Sequence, residues 1–145
     1  MIFLFDRGNK FALSIQAYEF PEANDELDAN WLVVGIEIEQ EDGVGWRAHG
    51  PYLRTRELVK LLRWLQNLTV KATPSRMDFM EGELAFDYTD DMLLGIKLDF
   101  SFHPKGAEYD YLVDRECSLY FRVNDKEIAD LIFAVEQTIK TFPER

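Results

Sequence analysis

A chain of 145 residues and 17.0 kDa has room for one domain, and at this length folding buries roughly 68–70% of the surface that the unfolded chain exposes. Hydrophobic residues at 47% and aromatics at 14% supply a core and exclude a disordered chain. The 27 Asp and Glu against 16 Lys and Arg leave a formal charge of −11, which repels nucleic-acid phosphates and anionic membrane surfaces and favours either a basic partner or simple solubility.

The lone cysteine, Cys117, excludes an intramolecular disulfide. Alternation places it with Leu119, Phe121 and Val123, as a small apolar side chain. The apolar start Met1–Phe5 is broken by Asp6 and Arg7, so it lacks the basic opening and apolar run of a signal peptide. With no window near the ~18 apolar residues of a membrane span, the expected compartment is the cytoplasm.

Taken in chain order, Lys10 to Phe20 alternates, with Phe11, Leu13, Ile15 and Ala17 on one face, which predicts a half-buried strand. An acidic loop follows Pro21. Trp31 to Gln40 is the next strand, burying Leu32, Val34, Ile36 and Ile38 and exposing Glu37 and Glu39. Glu41-Asp42-Gly43 turns the chain back into Val44–Tyr52, where Gly45 and Gly50 suggest a bulge or a close backbone approach. Thr55 is the expected N-cap of a helix carrying Leu58, Leu61, Leu62, Leu65 and Leu68 on one stripe, with Arg56, Lys60 and Arg63 outside it.

Short strands are expected at Met77–Met80 and Leu84–Tyr88. A long one follows in which Met92, Leu94, Ile96, Leu98, Phe100 and Phe102 share a face, and the last strand is Arg115–Val123. Asn124 and Glu127 form a capping box for a final helix, apolar at Ile128, Leu131, Ile132, Val135, Ile139 and Phe142. The expected fold is α+β: a single domain over 1–145, with a mainly antiparallel, curved sheet of about seven or eight strands. One helix is inserted midway and one is C-terminal.

Charge is segregated along the chain. Phe11 to Trp46 contains no Lys or Arg but holds Glu19, Glu22, Asp25, Glu26, Asp28, Glu37, Glu39, Glu41 and Asp42. Arg47 to Arg76 reverses the balance, with Glu57 as its single acid. Asp25, Glu26, Asp28, Glu37, Glu39, Glu41, Asp42 and Trp46 are therefore the candidate residues for contact with a basic protein surface, where complementary charge raises association rate and specificity.

The usual catalytic patterns are missing. His49 and His103 stand apart from Cys117, no Cys/His pair has zinc spacing, and no phosphate-binding glycine loop or nucleophile elbow occurs. Asn24, Glu26, Asp28 and Asn30 alternate like calcium ligands but lack the glycine and the distal Glu of such a loop. No cofactor or metal is expected. A carboxylate-dependent hydrolase and a structural or assembly module remain the alternatives to a binding protein. Trp31 and Trp46 read as packing residues across one hairpin, and Trp64 as the edge of a helix core.

The segment Leu27-Asp28-Ala29-Asn30-Trp31-Leu32-Val33-Val34 resembles the WapI-type family of bacterial immunity proteins. The likeness continues through Gly45-Trp46-Arg47-Ala48, Pro51-Tyr52-Leu53-Arg54-Thr55-Arg56-Glu57-Leu58, Met77-Asp78-Phe79-Met80-Glu81, the long strand ending at His103-Pro104, and Phe142-Pro143-Glu144-Arg145. It is weakest over Lys105–Asp114. The resemblance implies a non-enzymatic cytoplasmic protein that binds and neutralises the toxic C-terminal domain of a polymorphic toxin. Asp28, Asn30 and Trp31 are equally readable as structural: Asp28 or Asn30 pinning the loop through side-chain-to-backbone bonds, Trp31 anchoring the strand.

Overall fold

A computed structural model describes residues 1–145. The chain is α+β and antiparallel throughout, with eight strands and two helices. Its strands divide into two sheets of four, each a simple meander. The first contains β1 (Ile2–Asp6), β2 (Asn9–Tyr18), β3 (Trp31–Glu39) and β4 (Gly45–Arg54) in that order. After α1 (Thr55–Val70) the second contains β5 (Ser75–Asp78), β6 (Leu84–Tyr88), β7 (Leu93–Leu98) and β8 (Cys117–Arg122), followed by α2 (Asp125–Thr141).

Alternation decides which side of each strand is buried. Phe11 and Leu13 of β2, Val34, Ile36 and Ile38 of β3, Leu94, Ile96 and Leu98 of β7, and Leu119 and Phe121 of β8 all enter one core. Both helices contribute to it, through Leu58, Leu61, Leu65 and Leu68 from α1 and Ile128, Leu131 and Val135 from α2. The sheets meet where Phe11 and Phe86 pack edge to face, with centroids 6.1 Å apart. Asn124 accepts the Glu127 N–H and Glu127 caps the Asn124 N–H, so α2 begins with the expected capping box.

Several local expectations are corrected. The apolar N-terminal residues form β1, pairing Ile2–Asp6 with Leu13–Asn9. The alternation of β2 is interrupted by a bulge between Ile15 and Ala17, which leaves Ala17 exposed. Thr55 is the first helical residue rather than the cap, and its hydroxyl donates to Asn30 Oδ1 at 3.1 Å. The cap position is Arg54, whose N–H is taken by Glu57 Oε2 at 2.9 Å. Glu57 is 5% exposed, and its other oxygen accepts the Met80 N–H at 2.6 Å. The one acid of the basic stretch therefore fastens α1 to the turn between β5 and β6.

Trp46 and Trp31 are not cross-strand neighbours: Trp46 faces Ile38 and Trp31 faces Arg54, at opposite ends of the β3–β4 pair. Gly50 lies so close to the Tyr52 ring that a Cβ there would come within 2.3 Å of it, the close approach its glycine suggested. The long strand expected through Phe102 stops at Leu98. Phe100 takes φ +45° and opens a short 3-10 turn over Phe100–Phe102, so Phe102 is buried but Phe100 lies outside the core. Met92, at φ +58°, belongs to the preceding turn and is exposed.

The difference between Leu98 and Phe100 is measurable. Leu98→Ala should cost about 2–5 kcal/mol in chemical denaturation, because a fully buried side chain leaves a cavity. Phe100→Ala should cost clearly less, and equal losses would return Phe100 to the core.

Candidate functional site

The acids of the first hairpin occupy three places. Asp25, Glu26 and Asp28 lie in the β2–β3 connection, Glu37 and Glu39 on the outer face of β3, and Glu41 and Asp42 in the β3–β4 turn. At roughly 3.4 Å per residue, β3 separates the first group from the last by more than 20 Å. The acidic run of the sequence is thus two loop clusters with a strand face between them.

That strand face is internally compensated. Lys10, from the paired strand β2, donates to Glu37 at 2.9 Å and to Glu39 at 3.2 Å, and Arg47 of β4 lies 3.3 Å from Glu37. The Lys10 ammonium, with Arg47 beside it, holds the Glu37 carboxyl below the usual carboxylate range. Glu37, Glu39, Arg47 and Trp46 surround a shallow depression of about 390 Å³. Trp46 itself is half-buried, and its indole N–H donates to the Phe102 carbonyl at 2.9 Å. Its main engagement is with the fold.

The β2–β3 loop is clasped rather than free. Asp25 Oδ1 accepts the N–H groups of Leu27 and Asp28, an Asx turn. Asn30, 2% exposed, donates to the carbonyls of Glu26 and Arg145 and accepts from Thr55 Oγ1 and the Arg145 N–H. The Arg145 guanidinium stacks 3.9 Å over the Tyr18 ring and donates to the carbonyls of Phe20, Pro21 and Ala29. Arg56 bridges Glu26 to Glu144. Asn30 is therefore the loop-pinning residue, while Glu22 and Asp28 stay exposed with their carboxylates outside these bonds.

Beside this loop is a groove of about 310 Å³ formed by Glu19, Phe20, Trp31, Pro51, Tyr52 and Glu81. Arg54 stacks on Trp31 at 5.5 Å, and Phe102 meets Tyr52 edge to face at 5.2 Å. Arg54 and Phe102 thus already occupy part of the Trp31 and Tyr52 rings, and what the groove still offers a cationic side chain is the pair of carboxylates, Glu19 and Glu81, beside the remaining ring surface. Sequence reasoning missed Glu81 here, because it comes from the second sheet's first turn. The sequence offered no signal linking it to Trp31.

The profile of the Immunity protein WapI-like family matches residues 2–143, nearly the whole chain. The chain belongs to the WapI-like immunity protein family. Comparisons with curated proteins and with solved structures gave no match. In this WapI-like chain the acidic loops, the β3 face and the Trp31 groove all lie within the matched residues.

Other titratable groups have structural explanations. Cys117 is half-buried and its thiol is pushed up by that burial, which keeps it protonated. Lys97, 7% exposed, donates to Tyr120 at 2.7 Å and Ser118 at 3.0 Å and lies 3.3 Å from Asp87. His103 Nδ1 accepts the Lys105 N–H, while His49 is an exposed strand residue. Glu83 is 8% exposed with Oε2 lacking a partner, and burial, reinforced by Glu81 and Asp99, raises its carboxyl above the ordinary range.

Two outcomes follow for this WapI-like protein. Asn30→Ala strands the Thr55 hydroxyl and the Arg145 N–H, so it should cost about 1–3 kcal/mol in denaturant titration and speed amide exchange in the β2–β3 loop. Because its native pKa lies above its unfolded one, Glu83 makes the native state bind its proton more tightly. Stability is then lost as pH rises through the carboxylate range toward that raised value. Glu83→Gln should raise the melting temperature at pH 7 and change it little near about pH 3; equal shifts at both would assign the gain to packing.

Proposed function

We propose that this chain is a cytoplasmic, non-enzymatic immunity protein. It neutralises the toxic C-terminal domain of a cognate polymorphic toxin by forming a stoichiometric complex through its acidic surface. The observation that carries the reading is the family match over residues 2–143 on a chain of charge −11. No helix of the chain is long and apolar enough to cross a membrane. The partner in this reading is a basic protein domain, with no nucleic acid, membrane, metal or cofactor involved.

The candidate contacts remain Asp25, Glu26, Asp28, Glu37, Glu39, Glu41, Asp42 and Trp46, with different weights. Glu37 and Glu39 are already paired with Lys10, so breaking those pairs would offset part of any new attraction. Asp28 and Glu41 carry uncompensated charge at the two loop ends and are better placed to steer a basic partner. The Trp31 groove, with Glu19 and Glu81 at its rim, supports the same reading because it would accept a Lys or Arg from that partner.

Association with the toxic domain encoded beside this chain should slow as salt rises, since exposed charges more than ~8–10 Å apart are screened at physiological ionic strength. Glu22→Lys, Asp28→Lys and Glu41→Lys combined should lower the association rate about tenfold or more at low salt and flatten that salt dependence. Stopped-flow mixing measures both. A salt-independent rate, or no complex and no protection of cells expressing the toxic domain, would sink the proposal.

A further inference from the structure

Three consecutive apolar side chains stand in solvent in the connection between β7 and β8: Tyr111 is 73% exposed, Leu112 87% and Val113 67%. An exposed apolar run of this kind on a soluble, highly charged chain marks a place that something else covers.

The segment around it is firmly built. Asp114 Oδ2 accepts the Asp110 N–H at 2.8 Å, and Asp110 Oδ1 accepts the Leu112 N–H at 2.9 Å. The Asp110 carbonyl receives the N–H groups of Val113 and Asp114, and Lys105 pairs with Asp114. At the root, Phe100 stacks on Tyr111 with centroids 5.6 Å apart and planes at 30°. Tyr109 meets both rings edge-on, and its hydroxyl donates to Asp99 at 2.6 Å, which pushes that phenol up to about 12.

Phe100 holds its left-handed φ of +45° in this arrangement. A bulky residue keeps such a conformation only where its surroundings over-determine it, and such places cluster at functional sites. The Phe100 ring also lies over Gly82, close enough that a Cβ there would come within 3.1 Å of it. Local hydrogen bonds and aromatic packing thus hold Leu112 and Val113 outward instead of letting them fold back. A loop arranged in advance loses little conformational entropy on binding.

Charge selects the occupant. Lys105 is taken by Asp114, and Arg115 bonds the Asp114 carbonyl, so of the unpaired charges at the tip two are acids, Glu108 and Asp110, against the one cation Arg115. A second copy, itself at −11, would be repelled. We propose that Tyr111, Leu112 and Val113 form a docking tip that enters an apolar pocket, rimmed by Lys or Arg, on the toxin domain this chain neutralises. This inference rests on the immunity reading and adds to it a short-range contact distinct from the acidic loop ends.

The test compares wild type, Leu112→Ser and the triple variant Tyr111→Ser, Leu112→Ser, Val113→Ser for binding to the toxic domain encoded beside this chain. Melting temperature is measured in parallel. The triple variant should bind at least about 30-fold more weakly, and Leu112→Ser alone about tenfold. The loss should appear in the dissociation rate, with the association rate and its salt dependence kept. If the triple variant melts early, Leu112→Ser decides, since its side chain is 87% exposed. Affinity within threefold of wild type would overturn the docking tip while leaving the immunity reading intact. So would a wild-type dimer in light scattering that the triple variant loses. A wild-type chain that does not bind the toxic domain would overturn both.

Discussion

The two sheets share no backbone ladder, so their union depends on side chains, and above all on Phe86. Its ring, 2% exposed, meets Phe11 of the first sheet at 6.1 Å, Phe79 at 5.8 Å and Trp64 of α1 at 6.4 Å. One aromatic residue on β6 is thus in contact with both sheets and a helix. Around it, burial of apolar surface supplies the cohesion that a backbone ladder provides within each sheet. The edges of this arrangement are secured by charge: Arg122 of β8 donates to Asp6 of β1 at 3.0 Å.

The elements were legible wherever one face of a strand or helix is buried, because that produces a period in the residues. The pairs β2–β3 and β7–β8 and both helices are of this kind. Legibility failed where the period continued but the backbone did not. Phe100 keeps the alternation of β7, yet its left-handed φ takes the chain out of the sheet, and the one local mark of that break is Asp99, whose carboxylate accepts the Phe100 N–H. Thr55 has the chemistry of an N-cap, but a buried Glu57 already serves the helix start, leaving the hydroxyl for Asn30.

The candidate site was harder to read, for a reason specific to electrostatics. A charge run is one-dimensional, whereas compensation occurs across strands. Lys10 stands 27 residues from Glu37 in the chain and 2.9 Å from it in space. The long stretch without Lys or Arg therefore contributes less field at the C-terminal end of β3 than its composition implies, and its uncompensated charge stands in the loops, at Glu22, Asp28 and Glu41. The groove joining Trp31 to Glu81 draws on segments far apart in the chain, whereas the aromatic root beneath Tyr111 is local, formed by Phe100, Tyr109 and Tyr111. Neither follows a helical or strand period.

The clasp at Asn30 has a consequence for how the protein comes into being. Its partners on Arg145 lie 115 residues further along the chain. During synthesis the first sheet can pair while the rest is still being made, but the acidic β2–β3 loop acquires these bonds only once residue 145 is available. Closing contacts of such sequence separation carries a large loop entropy, and the bonds from Arg145 to Phe20 and from Tyr18 to Pro143 span 125 residues each. The order of that loop therefore reports that the chain through Arg145 has emerged and folded, and a copy truncated before it would present its acids on a segment without these bonds.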